Sequence, residues 1–129
     1  IDDLCRFVDE ETIVTVVESD PKHKNYKALQ DNLERLKKAK LEDGRSPKIM
    51  TLPMPKDILF EGLTLPASYA NFLILNNCVL VPTFNDAADR IALNTLASCF
   101  PDREVIGISA IDLIWGFGTL HCLSQQIPL

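Results

Sequence analysis

Cys122 follows the run Trp115-Gly116-Phe117-Gly118-Thr119-Leu120-His121 and precedes Ser124-Gln125-Gln126. The pattern breaks an apolar segment with two glycines and then sets a thiol among polar residues. A cysteine just past a glycine-bearing turn is open to close approach by a ligand, and its thiolate is a strong nucleophile. Most cysteines are simply buried. A core strand, however, would continue apolar where this one turns to Ser124-Gln125-Gln126. Cys122 is therefore read as a candidate nucleophile.

Its partners are less obvious. His121 is adjacent, but an extended segment over 119–123 would send neighbouring side chains to opposite faces and carry His121 away from the thiol. His23 stands among lysines and reads as solvated surface. The chain thus offers a nucleophile without a general base of its own. Asp2 and Asp3 precede a strand. They are either a solvated terminus or a carboxylate at a strand mouth that holds a cation by a charge-assisted hydrogen bond. Gly116 and Gly118 are loop glycines that would let backbone come near a ligand. Lys22, Lys24, Lys27, Arg35, Lys37, Lys38 and Lys40 form a basic face with no interleaved aromatics, which reads as solvated surface and not a nucleic-acid site.

The elements that position these residues follow from periodicity. Residues 4–8 and 12–17 read as strands joined by Asp9-Glu10-Glu11, the second β-branched almost throughout and so covered on both faces. Asp20-Pro21 predicts a helix start with Asp20 as N-cap, Tyr26, Leu29, Leu33 and Leu36 give its apolar stripe, and Gly44 is expected to end it. A third strand is expected over 48–52. Residues 53–69, with three of the eight prolines, read as a long connecting loop. Strands over 71–75 and 78–81 flank Asn76-Asn77. Asn85 or Asp86 is expected to cap a helix whose apolar face is Ala88, Ile91, Ala92, Thr95, Leu96 and Cys99. A strand follows over 104–108, then a short helical turn at most over 109–115, and a closing strand over 119–123.

Sliding one half on the other aligns Phe7 with Phe72, Val14 with Val79 and Val16 with Val81. Both halves read strand, strand, helix, strand. This divides the chain into a unit at 1–53, a connecting loop at 54–69, a unit at 70–109, and a nucleophile loop with closing strand at 110–129. Repeats of this size form modules around an axis or in a stack, and two alone leave open sheet edges, so more units are expected than the chain contains.

At 129 residues, 47% hydrophobic and 24% charged, the chain has the composition of a soluble globular domain. No apolar run approaches the roughly 20 residues that span a bilayer, and no signal-peptide pattern opens the sequence. A net charge of −5 argues against nucleic acid. Cys5, Cys78, Cys99 and Cys122 lack zinc-ligand spacing and read as three buried thiols and one functional one in a reducing, cytoplasmic setting. Because it begins at Ile1, the chain is expected to be a piece of a longer polypeptide or a processed one.

The run from Trp115 through Cys122 to Gln126, Ile127 and Pro128 resembles the carboxy-terminal signature of the agmatine deiminase and bacterial-type peptidylarginine deiminase family of guanidine-modifying enzymes. Ala67-Ser68-Tyr69-Ala70-Asn71-Phe72 and Phe100-Pro101-Asp102-Arg103 are similar to the same family, and Ile1-Asp2-Asp3-Leu4 resembles the continuation of its Gly-His-(Val or Ile)-Asp motif. The resemblance implies an α/β fold of repeated ββαβ units, a five-bladed α/β propeller (pentein), with this chain supplying about the last two blades. It implies Cys122 as nucleophile, Asp2 as the carboxylate gripping the substrate guanidinium, and Gly116 and Gly118 in the loop closing over the site. The family's catalytic histidine would precede Ile1, and Phe117 stands where its loop carries a second glycine.

The implied reaction turns agmatine and water into N-carbamoylputrescine and ammonia, in putrescine biosynthesis, through a covalent intermediate on cysteine. Deimination of arginine or peptidylarginine to citrulline is the alternative, and an amidinotransferase or dimethylarginine hydrolase fits Ser124-Gln125-Gln126 less well. No metal or cofactor is implied. The expected partners are the guanidine substrate and the remaining N-terminal blades, with no nucleic acid and no membrane, and a homo-oligomer is compatible. A non-catalytic propeller fragment for binding or assembly is the competing class, and the fragment alone is expected to be inactive.

Overall fold

The β-branched run Thr12–Val17 (β2) forms the centre of a three-stranded sheet in the computed structural model, which describes residues 2–127. Ile1 and Pro128, at the outer ends of the two terminal motifs, lie outside the described residues. Residues 12 to 16 are all buried, as a strand covered on both faces requires. β1 (Cys5–Phe7) pairs antiparallel to β2, with Cys5 opposite Thr15 and Phe7 opposite Ile13. α1 (Tyr26–Lys38) crosses over, and β3 (Lys48–Pro53) returns parallel to β2, from Thr12 against Lys48 to Val17 against Pro53.

The same order then recurs. After a small hairpin, β4 (Leu59–Phe60) with β5 (Leu63–Thr64), come β6 (Leu73–Ile74), β7 (Cys78–Thr83), α2 (Ala88–Cys99) and β8 (Glu104–Ser109). β6 is antiparallel to β7, and β7 is parallel to β8. α2 packs against both β3 and β8, so the two units share one core. Val14, Val16, Leu29 and Leu52 from the first unit belong to the same buried cluster as Val79, Val81, Ala92, Leu96 and Phe100 from the second.

Several boundaries differ from the periodicity reading, each for a local reason. α1 begins at Tyr26, not at Pro21. Asp20 Oδ1 accepts the Lys22 N–H at 2.9 Å and the Asp20 carbonyl accepts the His23 N–H at 3.0 Å, so this stretch closes turns instead of winding a helix. The helix stops at Lys38, where Ala39 is extended, and Gly44 serves a later turn with φ of +83°. The connecting loop holds the β4–β5 hairpin because Glu61 and Gly62 both take left-handed φ, the geometry of a tight hairpin turn. The N-cap of α2 is Ala87, not Asn85 or Asp86, although Asp86 Oδ1 receives the Ala88 N–H at 2.8 Å; Ile91 faces solvent at 58% exposure while Ala92 and Leu96 turn inward. Phe7 is 55% exposed and Phe72 fully buried, so the halves match at their inward valines and not at this pair.

The expected closing strand over 119–123 is a turn. The Leu123 N–H returns to the Thr119 carbonyl at 3.1 Å and the Ser124 N–H to the His121 carbonyl at 3.0 Å. It follows a 3-10 turn, Leu113–Gly116.

Candidate active site

Residues 67–72 are buried without a break, and they are tied to both units. The Tyr69 hydroxyl donates to Asp89 Oδ1 at 2.7 Å; burial and that carboxylate push its ionisation far up. Asp89 is itself fixed by the N–H groups of Phe84 and Asp86 at the start of α2. From the other side, Ser68 Oγ donates to the Asp3 carbonyl at 2.7 Å, and the Arg6 guanidinium donates to the carbonyls of Ala70 and Phe72 while lying 4.3 Å over the Phe72 ring. These bonds bring the start of the chain against the middle.

Asn71 sits at the centre of this joint. Its amide nitrogen donates to Asp3 Oδ1 at 2.9 Å, to Cys122 Sγ at 3.0 Å and to Asp2 Oδ2 at 3.2 Å. Its side-chain oxygen accepts from Thr119 Oγ1 at 2.8 Å and from the N–H groups of His121 and Cys122 at 3.0 and 3.3 Å. By sequence alone the residue is the start of a strand and part of a motif, not a site residue. The available signal was an asparagine inside an otherwise apolar run, since a buried amide must find partners.

Asp2 and Cys122 therefore meet. The thiol lies 3.3 Å from Asp2 Oδ2, and His121 Nδ1 approaches the same oxygen at 2.9 Å. The His121 bond, foremost, and the Cys122 bond hold the Asp2 carboxyl well below its usual range, at about 2. Asp3 is pushed the other way, by burial first and by the Asp2 charge next. Cys122 is exposed whereas Cys5, Cys78 and Cys99 are half-buried rather than buried, and burial raises the Cys5 and Cys99 thiols.

The strand alternation that set His121 aside fails because the segment is a turn. Both side chains reach Asp2, and His121 orients the carboxylate. His23 also departs from its reading as solvated surface, since it is half-buried and hydrogen-bonded through Nε2 to Asp57 at 3.2 Å.

The two glycines differ. A Cβ on Gly118 would fall 2.6 Å from Cys122 Cβ and 3.0 Å from its sulfur, so the loop needs glycine there for the Cys122 thiol to sit where it does. Gly116 has no atom within 4 Å of such a Cβ. The left-handed residue of the loop is Phe117, with φ of 62°.

Asp2, Asp3 and Cys122 bring three potential metal-ligand atoms within 4.8 Å of one another. The Asn71 amide nitrogen already stands within hydrogen-bond distance of all three, and a donor aimed into that space opposes a metal cation in it. Beside the cluster, an open and mainly apolar groove of about 590 Å³ is lined by Asp2, Arg6, Phe7, Leu36 and His121 among others. A carboxylate beside an exposed thiol at the edge of such a groove can hold a planar organic cation within reach of the sulfur.

The Porphyromonas-type peptidyl-arginine deiminase family profile matches residues 1–128. A Lactococcus lactis protein provisionally named agmatine deiminase is 34% identical over 99% of this chain, which covers 40% of that protein. Among solved structures, a Porphyromonas gingivalis protein provisionally named arginine deiminase superposes with a TM-score of 0.96 at 43% identity, over 98% of this chain and 38% of its own. A C. jejuni agmatine deiminase with a cysteine-to-serine change, solved with substrate bound, gives a TM-score of 0.85 at 35% identity, over 93% of this chain and 34% of its own. The chain thus spans about two fifths of the length of the curated relatives it matches.

Proposed function

We propose, since the chain belongs to the Porphyromonas-type peptidyl-arginine deiminase family, that it supplies the nucleophile and one substrate carboxylate of a guanidine deiminase. The observation that carries this reading is the Cys122 sulfur 3.3 Å from Asp2 Oδ2. A carboxylate that stays ionised at neutral pH holds a guanidinium by charge-assisted hydrogen bonds, and the thiol beside it is within reach of the same cation. The bound cation in turn provides the positive charge that favours thiolate.

The thiolate attacks the guanidinium carbon, and the C–N bond breaks as ammonia leaves with a proton from a general acid. A thiouronium remains on Cys122. Water then adds to the same carbon, the C–S bond breaks, and the ureido product departs with the thiolate restored. The acid and base is the histidine expected just before Ile1, and the other carboxylates come from the part of the protein that precedes this sequence. No step in this sequence calls for a metal or cofactor. Gly116 and Gly118 belong to the loop that closes over the substrate.

The two β-β-α-β units are read as two blades of a five-bladed propeller. Agmatine, giving N-carbamoylputrescine for putrescine biosynthesis, is the preferred substrate, supported by the agmatine deiminases among the relatives. Arginine, free or in peptides, is the second, supported by the family description and the P. gingivalis neighbour. A cytoplasmic setting agrees with the thiols, and no helix among the described residues is long and apolar enough to cross a membrane.

The test incubates the intact protein and its Cys122→Ala variant with agmatine, and separately with arginine, and measures ammonia and ureido product. Wild type is expected to form both from agmatine, and the variant neither. Equal turnover by the two, or none by a folded wild type with either substrate, would overturn the assignment and favour a non-catalytic module.

A further inference from the structure

We propose that Asn71 is a positioning residue for the nucleophile, its buried amide holding the Cys122 sulfur and the Asp2 carboxylate in one register and favouring the thiolate. This rests on Cys122 being the nucleophile. Asn71 is 1% exposed, so its amide must be satisfied by protein groups, and the orientation of those groups is forced. The N–H groups of His121 and Cys122 converge on Oδ1. A backbone N–H can only donate, so the oxygen faces the loop backbone and the nitrogen faces Cys122 Sγ, Asp2 Oδ2 and Asp3 Oδ1. An aspartate of the same shape would set a third carboxylate against two others and the sulfur.

One planar group therefore links the backbone of the nucleophile to its reactive atom and to the carboxylate beside it. The charged and titratable groups facing the thiol are otherwise unhelpful. Asp2 accepts its proton, and an Asp3 carboxylate oxygen stands within 4.8 Å of the sulfur. His121 is spent on Asp2, and Arg6, on the groove wall, is spent on the carbonyls of Ala70 and Phe72. Two carboxylates near a sulfur oppose its ionisation, while an N–H donated to the sulfur favours it. Among these groups that donor is Asn71.

The experiment follows iodoacetamide alkylation of Cys122 across pH in the intact protein, read by peptide mass spectrometry, for wild type, Asn71→Ser and Thr119→Val. The peptides of Cys5, Cys78 and Cys99 serve as internal controls. Asn71→Ser is expected to react about tenfold more slowly near neutral pH and to recover the wild-type rate in alkali, the signature of a thiolate that has lost a stabilising donor. Its kcat is expected to fall by more than its KM rises. A merely structural role would leave the shape of the pH profile unchanged, and a folded Asn71→Ser protein whose profile overlays wild type would overturn the proposal.

Thr119→Val removes one of the three donors that fix the amide, and is expected to move the profile the same way by less. Should Asn71→Ser not fold, an unmoved Thr119→Val profile overturns the proposal equally. The alkylation profile does not depend on turnover. A moved profile in a protein that releases no ammonia would sink the deiminase reading alone, and turnover with an unmoved profile would sink this one alone.

Discussion

Gly118 leaves no room for a side chain, and the atoms in the way belong to the proposed nucleophile: Cys122 Cβ at 2.6 Å and Sγ at 3.0 Å. Gly118→Ala is expected to displace the sulfur and lower kcat by about tenfold or more, since small misplacements of a reacting group are costly. Steady-state kinetics with circular dichroism to show an intact fold would check it. Gly116→Ala meets nothing within 4 Å and is expected to leave stability within about 0.5 kcal/mol of wild type in denaturant titrations.

The paired carboxylates predict opposite pH responses. The folded Asp2 carboxyl titrates at about 2, below its ordinary 3.8. Its stabilising contribution is therefore full above the ordinary value and is lost as pH falls through the folded one. With its side chain 34% exposed, that contribution is screened and modest. Asp3 is raised, so its ionisation costs stability as pH rises through its folded value, and the cost vanishes in acid. Thermal melts should show Asp2→Asn less stable than wild type at neutral pH and converging with it in strong acid. Asp3→Asn should show the reverse at neutral pH, and identical pH dependence in all three proteins would contradict the assignment.

At the level of elements, the loop that carries Cys122 holds its strain at an unexpected place. Phe117, directly after the 3-10 turn, takes a left-handed φ of 62°. That conformation costs a side-chain-bearing residue about 1 kcal/mol, which glycine avoids. Phe117→Gly is expected to stabilise the protein by up to about 1 kcal/mol, seen as a higher denaturant midpoint at unchanged slope. The loop is braced from outside, with the Phe60 ring of the β4–β5 hairpin against Trp115 at 4.3 Å between centroids. The hairpin was hidden in a proline-rich stretch because each strand is two residues long, too short for any alternation to register. β2 and β7 were legible because six-residue strands rich in valine leave a pattern that burial demands.

Across the whole molecule, Arg6 fastens the first unit to the second. Its guanidinium spans from β1 to the carbonyls of Ala70 and Phe72 and stacks on the Phe72 ring. Arg6→Met keeps much of the volume but leaves those carbonyls without their donor, and is expected to cost about 2 kcal/mol in equilibrium unfolding. The 129-residue chain by itself is expected to release no ammonia from agmatine, because the acid, base and remaining carboxylates are proposed to lie outside it. Turnover by a pure sample of this chain would contradict that.

The sequence by itself determined the two β-β-α-β units, the buried valines of their central strands and the candidacy of Cys122, because period, β-branching and glycine placement are local properties. It misjudged residues 119–123, and with them the direction of the His121 side chain, because a five-residue segment has no pattern of its own; its shape is set in part by bonds to Asn71, some fifty residues away in the chain. Asn71 itself could be seen only as a polar residue in an apolar run. That its one amide joins Asp2, Asp3, Thr119 and Cys122 is a property of the packed chain alone, since no local rule connects residues so far apart in sequence.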